Sequence, residues 1–442
     1  MSDVSRRAAL AAGLAAGVTT PLSTTAEAAA WPGPDATADD YPQFMADSGH
    51  SGWARTETTV TVATVGSLGQ LWQRPVAESG WAPATGDPTV VGNGVFLGGR
   101  TVVRYDAQTG TRVWSRSIGA VVPTTPVYAH GLVVATGLDG SDSHLGAIDA
   151  RTGALVWKRR LARSGFASPS IAGSTVLVGS EDRVQAFDLR TGGRRWGWVD
   201  PEYWAGMFGS PSAAGGLVIA GNEGNSRVTA LNLSDGKVAW QNRLPGTNGW
   251  TMDGFGIAVD RASGRAFVGS TGDGSYSGAV RAVSVADGTT LWQTELGKSV
   301  WRAVAWSGST VLANAETDLV ALDAATGVIR WRFTNEAWLS PGMVCGGGVV
   351  LIGVPAGAVL DTPALLGFSI GSGRRLLTLA LPGGAGYEPM GAAISRGRVF
   401  LPQWNRLLCL GPGGGPVGRD RSTPPPRRRS PVAPVHRQET RR

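Results

Sequence analysis

The chain is poor in cysteine and histidine, and it has no long apolar run. Only Cys345 and Cys409 occur in 442 residues, which excludes a disulfide-stapled small fold and any Cys₄ zinc site. Each lies beside an apolar stretch and reads as a buried thiol, with a disulfide in an oxidising compartment as the alternative. His50, His130, His144 and His436 show no metal-ligand spacing. No Cys-x-x-Cys-His run is present to attach haem and no Gly-x-Ser-x-Gly elbow to carry a serine nucleophile. The weakly apolar stretch Ala8 to Val18 is too short to stay in a bilayer. No sustained 3.6-residue period appears, so long amphipathic helices are not expected.

A one-sided charge is also missing from the body of the chain. From Arg419 onward, eight Arg and two acids hold +6 of the total net charge of +7. The remainder is close to neutral, so no basic groove is implied and nucleic-acid binding is not expected.

Glycine and tryptophan are abundant, at 65 and 17 residues, and they recur in register. Tyr105 to Trp114, Ile148 to Trp157, Phe187 to Trp196, Leu231 to Trp240 and Leu322 to Trp331 share one phrase. In it an apolar residue is followed by Asp or Asn, then a Gly stands four residues before a Trp. Ser284 to Trp292 and Phe368 to Leu377 are variants, with Leu377 replacing the Trp. The Asp accepts backbone N–H bonds in a turn and the Gly takes its left-handed conformation. The Trp then opens the next strand and buries a large area, with an indole N–H that needs an acceptor. A buried strand precedes each phrase, as at Ser174 to Gly179, so each unit holds about four short strands.

Trp72, Trp114, Trp157, Trp196, Trp240, Trp292, Trp331 and Leu377 stand 42, 43, 39, 44, 52, 39 and 46 residues apart. That period fits propeller blades. The fold class is therefore all-β, a closed eight-bladed β-propeller with seven blades as the alternative. The eighth unit, through Arg398 to Leu410, has no Trp strand of its own, and the strand around Trp72 is expected to supply it.

These phrases, Ile148 to Trp157 above all, resemble the repeat of the pyrroloquinoline-quinone (PQQ)-like, tryptophan-docking β-propellers. Tyr41 to Gly52 also looks like the lead-in of many members. The resemblance covers about residues 38–411 and implies fold more than function. In the quinoprotein dehydrogenases of this group, the quinone lies between a Trp and a ring of adjacent cysteines, beside Ca²⁺. This chain has no adjacent cysteines. No cofactor is expected, PQQ with Ca²⁺ being the alternative. The segments Asp139 to His144 and Gly272 to Ser275 contain oxygen donors but read first as hairpin turns, and no metal site is expected.

The ends differ from the middle. Residues 1–30 read as a signal peptide whose Arg6-Arg7 pair resembles the twin-arginine export motif, with small-residue cleavage sites near Ala28. No Cys follows it for lipidation, which departs from the envelope-assembly propellers of the family. Residues 31–59 form the lead-in, 60–411 the propeller, and 412–442 a disordered Pro- and Arg-rich tail. The expected protein is secreted or extracytoplasmic, monomeric and without stable membrane insertion.

Seven to ten residues beyond the docking positions stand Trp81, Val122, Phe166, Trp204, Trp250, Trp301, Trp338 and Tyr387, where the chain re-enters the ring. Polar residues nearby include Glu202, Tyr203, Asp253, Arg302, Glu336 and Glu388. The aromatic members with Arg302 are the candidate ligand-binding residues, lining a central funnel. The competing reading is packing between blades. The expected function is a binding or scaffold module for a small molecule or an envelope protein. The alternative is a secreted enzyme working in the funnel, a PQQ-dependent dehydrogenase or a cofactor-free catalyst, with Asp253, Glu336 or Glu388 as acid or base.

Overall fold

The alternation of short apolar strands with glycine turns resolves into eight separate ladders, seven of four strands and one of five, the fifth strand being Trp53–Ala54. The structure is a computed structural model describing residues 33–76, 86–161, 167–202, 208–222, 227–243, 257–271, 278–300, 304–340, 342–383, 391–403 and 405–417. The fold is an eight-bladed β-propeller, and Val65–Ser67, a short 3₁₀ turn, is the helical element among these residues. No helix among them is long and apolar enough to cross a membrane.

Each blade is an antiparallel meander. Blade three shows the plan: Ser170–Ala172 innermost, then Thr175–Ser180, Arg183–Asp188 and Arg194–Val199 at the rim. The other innermost strands are Thr89–Val91, Val127–Ala129, Ser212–Ala214, Ala258–Asp260, Ala305–Ser307, Met343–Gly346 and Ala393–Ser395. Each of the eight neighbours the next, and the last neighbours the first. No strand pairing joins one blade ladder to another among the described residues, and side-chain packing is one of the contacts that hold neighbouring blades together.

The tryptophans are that contact. In every blade the rim strand carries a bulge just before the docking position, as at Leu155/Trp157 and between Ala186 and Phe187 opposite Trp196. A bulge re-aims the following side chain. Trp157 is thereby turned toward the next blade, where its Nε1 donates to Leu189 O at 2.9 Å. Six more indoles do the same: Trp72 to Ala107, Trp114 to Ala150, Trp196 to Leu233, Trp240 to Val285, Trp292 to Ala324 and Trp331 to Ile370. Each ring lies flat on the turn glycine. At Gly192, with φ +65°, an added Cβ would stand 2.6 Å from Trp157. Only glycine meets both the conformation and the approach. The turn Asp holds its hairpin as expected: Asp149 Oδ1 accepts from Arg151 N, Thr152 N and Thr152 Oγ1 at 3.1, 2.7 and 2.7 Å.

The eighth blade draws on both ends of the propeller chain. Leu68–Pro75 runs antiparallel to Arg406–Pro412 as its rim strand, with Trp72 opposite Cys409. Blade eight consequently has no Asp-x-x-Thr-Gly hairpin. The turn Val65–Ser67 stands there instead, against the rim strand of blade seven. This explains Leu377. Its side chain buries in one cluster with Val65 and Leu68, where no turn glycine waits for an indole.

Candidate functional site

The first strand of each blade has one edge paired outward and one facing the axis. A bare edge leaves backbone donors without acceptors. The lead-in satisfies them one blade at a time. Tyr41 exchanges both main-chain bonds with Val90 of blade one, at 2.7 and 2.8 Å. Pro42 O accepts Tyr128 N of blade two at 2.8 Å. At blade three the side-chain amide of Gln43 takes the place of a peptide unit, accepting from Ile171 N at 2.8 Å and donating to Ile171 O at 2.9 Å.

The chain then turns on Met45 and Ala46, non-glycine residues at φ 48° and 77°. Ser48 O, Gly49 O and Ser51 O accept Ala213 N, Val259 N and Trp306 N of blades four, five and six, at 2.6, 2.7 and 2.7 Å. Gly52 O accepts Cys345 N of blade seven at 2.8 Å, and Trp53–Ala54 lies parallel to that strand. Blade eight is met twice, by Ser395 Oγ donating to Asp39 O at 2.6 Å and Gly397 N donating to Glu57 Oε2 at 3.0 Å. Residues 39–57 thus visit all eight blades in order.

Many side chains of this circuit are buried, with Asp39, Arg55 and Thr56 exposed, and several bond one another. Asp47 accepts from Gly49 N at 2.8 Å and Ser51 Oγ at 2.8 Å. Arg55 pairs with Asp47 at 3.5 Å and lies 5.0 and 4.9 Å from the Trp53 and Trp306 rings. His50 is fully buried, its Nδ1 2.9 Å from Ser212 Oγ. Burial lowers its pKa to about 4, with Asp47 opposing, so the ring is neutral near pH 7. Tyr41 is buried, and desolvation first, then Asp87, Cys345 and Asp47, raise its pKa. Where the circuit's two ends meet beside blade eight, a cavity of about 340 Å³ is lined by Asp39, Thr56, Glu57, Ser395 and Arg396, among others. Two of its charged groups are engaged within the fold: Arg396 with Asp40 at 2.6 Å, and Glu57 with the Thr59, Val60 and Gly397 amides.

Trp81, Phe166, Trp204, Trp250, Trp301, Arg302 and Tyr387, with Tyr203, Asp253 and Glu388, lie outside the described residues. Two members of the series are described. Val122 is fully buried, whereas Trp338 is 55 % exposed, on the segment joining blades six and seven. Glu336 is exposed on that segment. Glu202 is paired with Arg227 and Arg243.

Asp139 and Asp142 close a two-residue hairpin, with Lys158 and His144 at Asp139 and Arg160 at Asp142. Gly272 to Ser275 lie outside the described residues. The cysteines are free and buried. Cys345 sits in the innermost strand of blade seven and Cys409 in the third strand of blade eight, and burial pushes the Cys409 thiol up to about 12. Thiols so placed do not form the adjacent-cysteine ring of a quinone seat. The role of the lead-in was not legible in the sequence. Gln43 and the non-glycine positive-φ residues give no local signal of their partners.

A family model described as outer membrane protein assembly factor BamB matches residues 56–149, 100–271 and 276–439. Among curated relatives, BamB of Moranella endobia is 25% identical over 55% of this chain and 66% of its own length. BamB of Yersinia pestis is 25% identical over 55% of this chain and 65% of its own. The matches thus span just under two thirds of those relatives. Among solved structures, BamB from Moraxella catarrhalis aligns with TM-score 0.62 and 18% identity, over 78% of this chain and 99% of that one. Quinohemoprotein alcohol dehydrogenase from Comamonas testosteroni aligns with TM-score 0.68 and 15% identity, over 87% of this chain and 82% of that one. Identities this low speak for the fold alone.

Proposed function

Because the chain belongs to the family described as outer membrane protein assembly factor BamB, we propose that it is an exported, non-catalytic binding or scaffold module with an envelope protein as partner. The observation that carries the reading is the occupied axis. Where a propeller enzyme would keep reactive groups, this chain threads its own lead-in, with a neutral buried His50 and an Asp47 already bonded to Gly49 and Ser51. The working surface then falls to the segments that join a rim strand to the next innermost strand. Trp338 stands exposed on one of them, as a recognition aromatic does. In this reading Trp81, Phe166, Trp204, Trp250, Trp301, Arg302 and Tyr387 serve recognition with Trp338, and residues 1–30 direct export by the twin-arginine route. No cofactor is required, and the buried thiols support that view.

The test is site-directed cross-linking of the exported protein in intact cells from position 336, beside Trp338, with Trp301 and Trp338 either native or alanine. A discrete adduct with one envelope protein, lost when both tryptophans are alanine, is the expected result. Stoichiometric PQQ uptake with dye-linked alcohol oxidation by the purified protein would overturn the reading.

A further inference from the structure

We propose that the axial edges of the eight innermost strands form a peptide-binding seat, and that residues 39–57 are its ligand, bound in cis and able to leave as one piece while the blades stay folded. The inference rests on geometry alone and stands or falls separately from the proposed partner. Its binding mode shares with strand addition that main-chain bonds to a sheet edge supply affinity and side chains supply selectivity, but the segment crosses the strand edges in turn and pairs as a strand at Trp53–Ala54. The main-chain part is the series of bonds to Val90, Tyr128, Ala213, Val259, Trp306 and Cys345.

The selective part lies at four positions. The Gln43 amide makes both bonds to Ile171. His50 reaches Ser212. At Gly49 a Cβ would stand 3.1 Å from Val259 O, and at Gly52, with φ +67°, 2.9 Å from Ala305 Cβ. The ligand class that fits is therefore a turned peptide, left-handed at Met45, Ala46, His50 and Gly52, with a primary amide near one end and glycines at positions 49 and 52. The segment behaves as a ligand in its connectivity too. Its strand contribution to any blade is Trp53–Ala54, and it joins the rim through residues 58–67 alone on that side. Thr58 and Thr59 in that link are exposed.

Native-state hydrogen exchange on the full chain tests this. The amides of Val90, Tyr128, Ile171, Ala213, Val259, Trp306 and Cys345 are expected to share one opening event, cheaper than global unfolding. Gly52→Ala should speed all seven by about tenfold or more, while Val95, Val133 and Val176 in the second strands keep their rates. Gln43→Ala, at the opposite end of the segment, should speed the same seven, and it serves if Gly52→Ala does not fold. A synthetic peptide of residues 33–59, added at millimolar concentration to the variant, should restore slow exchange, and a scrambled peptide should not. Acceleration confined to the altered residue's own blade, acceleration of the second strands alongside, no acceleration, or no rescue by the native peptide would each overturn the proposal.

Discussion

Trp72 Nε1 donates to Ala107 O at 3.1 Å, and this bond ties the rim strand of the last blade to the hairpin of the first. The two residues lie 35 positions apart, yet the strand bearing Trp72 completes a sheet whose other members begin at Ala393. Six further indoles make the same bond between sequential blades. At the seventh to eighth interface Val65 and Leu377 replace indole and hairpin.

Deleting Val60 to Val76 should leave no cooperatively melting species, because blade eight loses its rim strand and blade one its latch. Circular dichroism melts of the purified variant check this. A soluble deletion form with a sharp transition would count against the pairing.

Trp157→Ala should lower stability by about 3–5 kcal/mol, the range for a large aromatic removed from a core. Gly192→Ala attacks the same contact from the other side. It should cost about 2–4 kcal/mol, combining a left-handed backbone penalty with overpacking against the indole. Gly173 is the control, at φ +59° with nothing near its Cβ position. Gly173→Ala should cost only about 1–2 kcal/mol. Equal losses at the two glycines in urea titrations would remove the docking contact from the account.

Acidification should destabilise the protein through His50. Its folded pKa of about 4 lies below the unfolded value near 6.5. Between those values the unfolded chain binds the proton and the folded chain does not. Stability is therefore lost as pH falls from about 6.5 toward 4, by roughly 3 kcal/mol in total. His50→Asn tolerates the left-handed backbone and does not titrate, so its pH 7 to pH 4 loss should be smaller by about that amount. Identical pH slopes for the two proteins would contradict the assignment.

The blade was legible because its chemistry is local. Asp, Gly and Trp lie within ten residues, each with a conformational or packing need that restricts its type, and the repeat count followed. The borrowed rim strand was legible by elimination, since one unit had no Trp strand. The circuit of residues 39–57 was not, because its partners lie up to 356 residues away, as with Asp39 and Ser395, and most of its bonds use main-chain carbonyls that any residue carries. Leu377 likewise reads as a weak docking residue until the turn Val65–Ser67 is seen beside it. For the aromatic series the spacing marked where the chain re-enters the ring, but spacing does not separate a ring packed between blades from an exposed one. Trp338 falls on the exposed side.

Export should depend on the arginine pair near the start. Changing Arg6 and Arg7 together to Lys should hold the precursor inside the cell, as fractionation and immunoblotting would record. Unchanged release of the double variant would point to the general secretory route.

The proposed function requires that Trp301 and Trp338 contact a partner and contribute little to folding. Thermal and urea melts of Trp301→Ala and Trp338→Ala, measured beside Trp157→Ala and paired with cross-linking from position 336, test it most directly. Each variant should lose less than about 1.5 kcal/mol of stability, and the pair should lose the adduct. Losses matching Trp157→Ala at both positions, with the adduct retained, would contradict it.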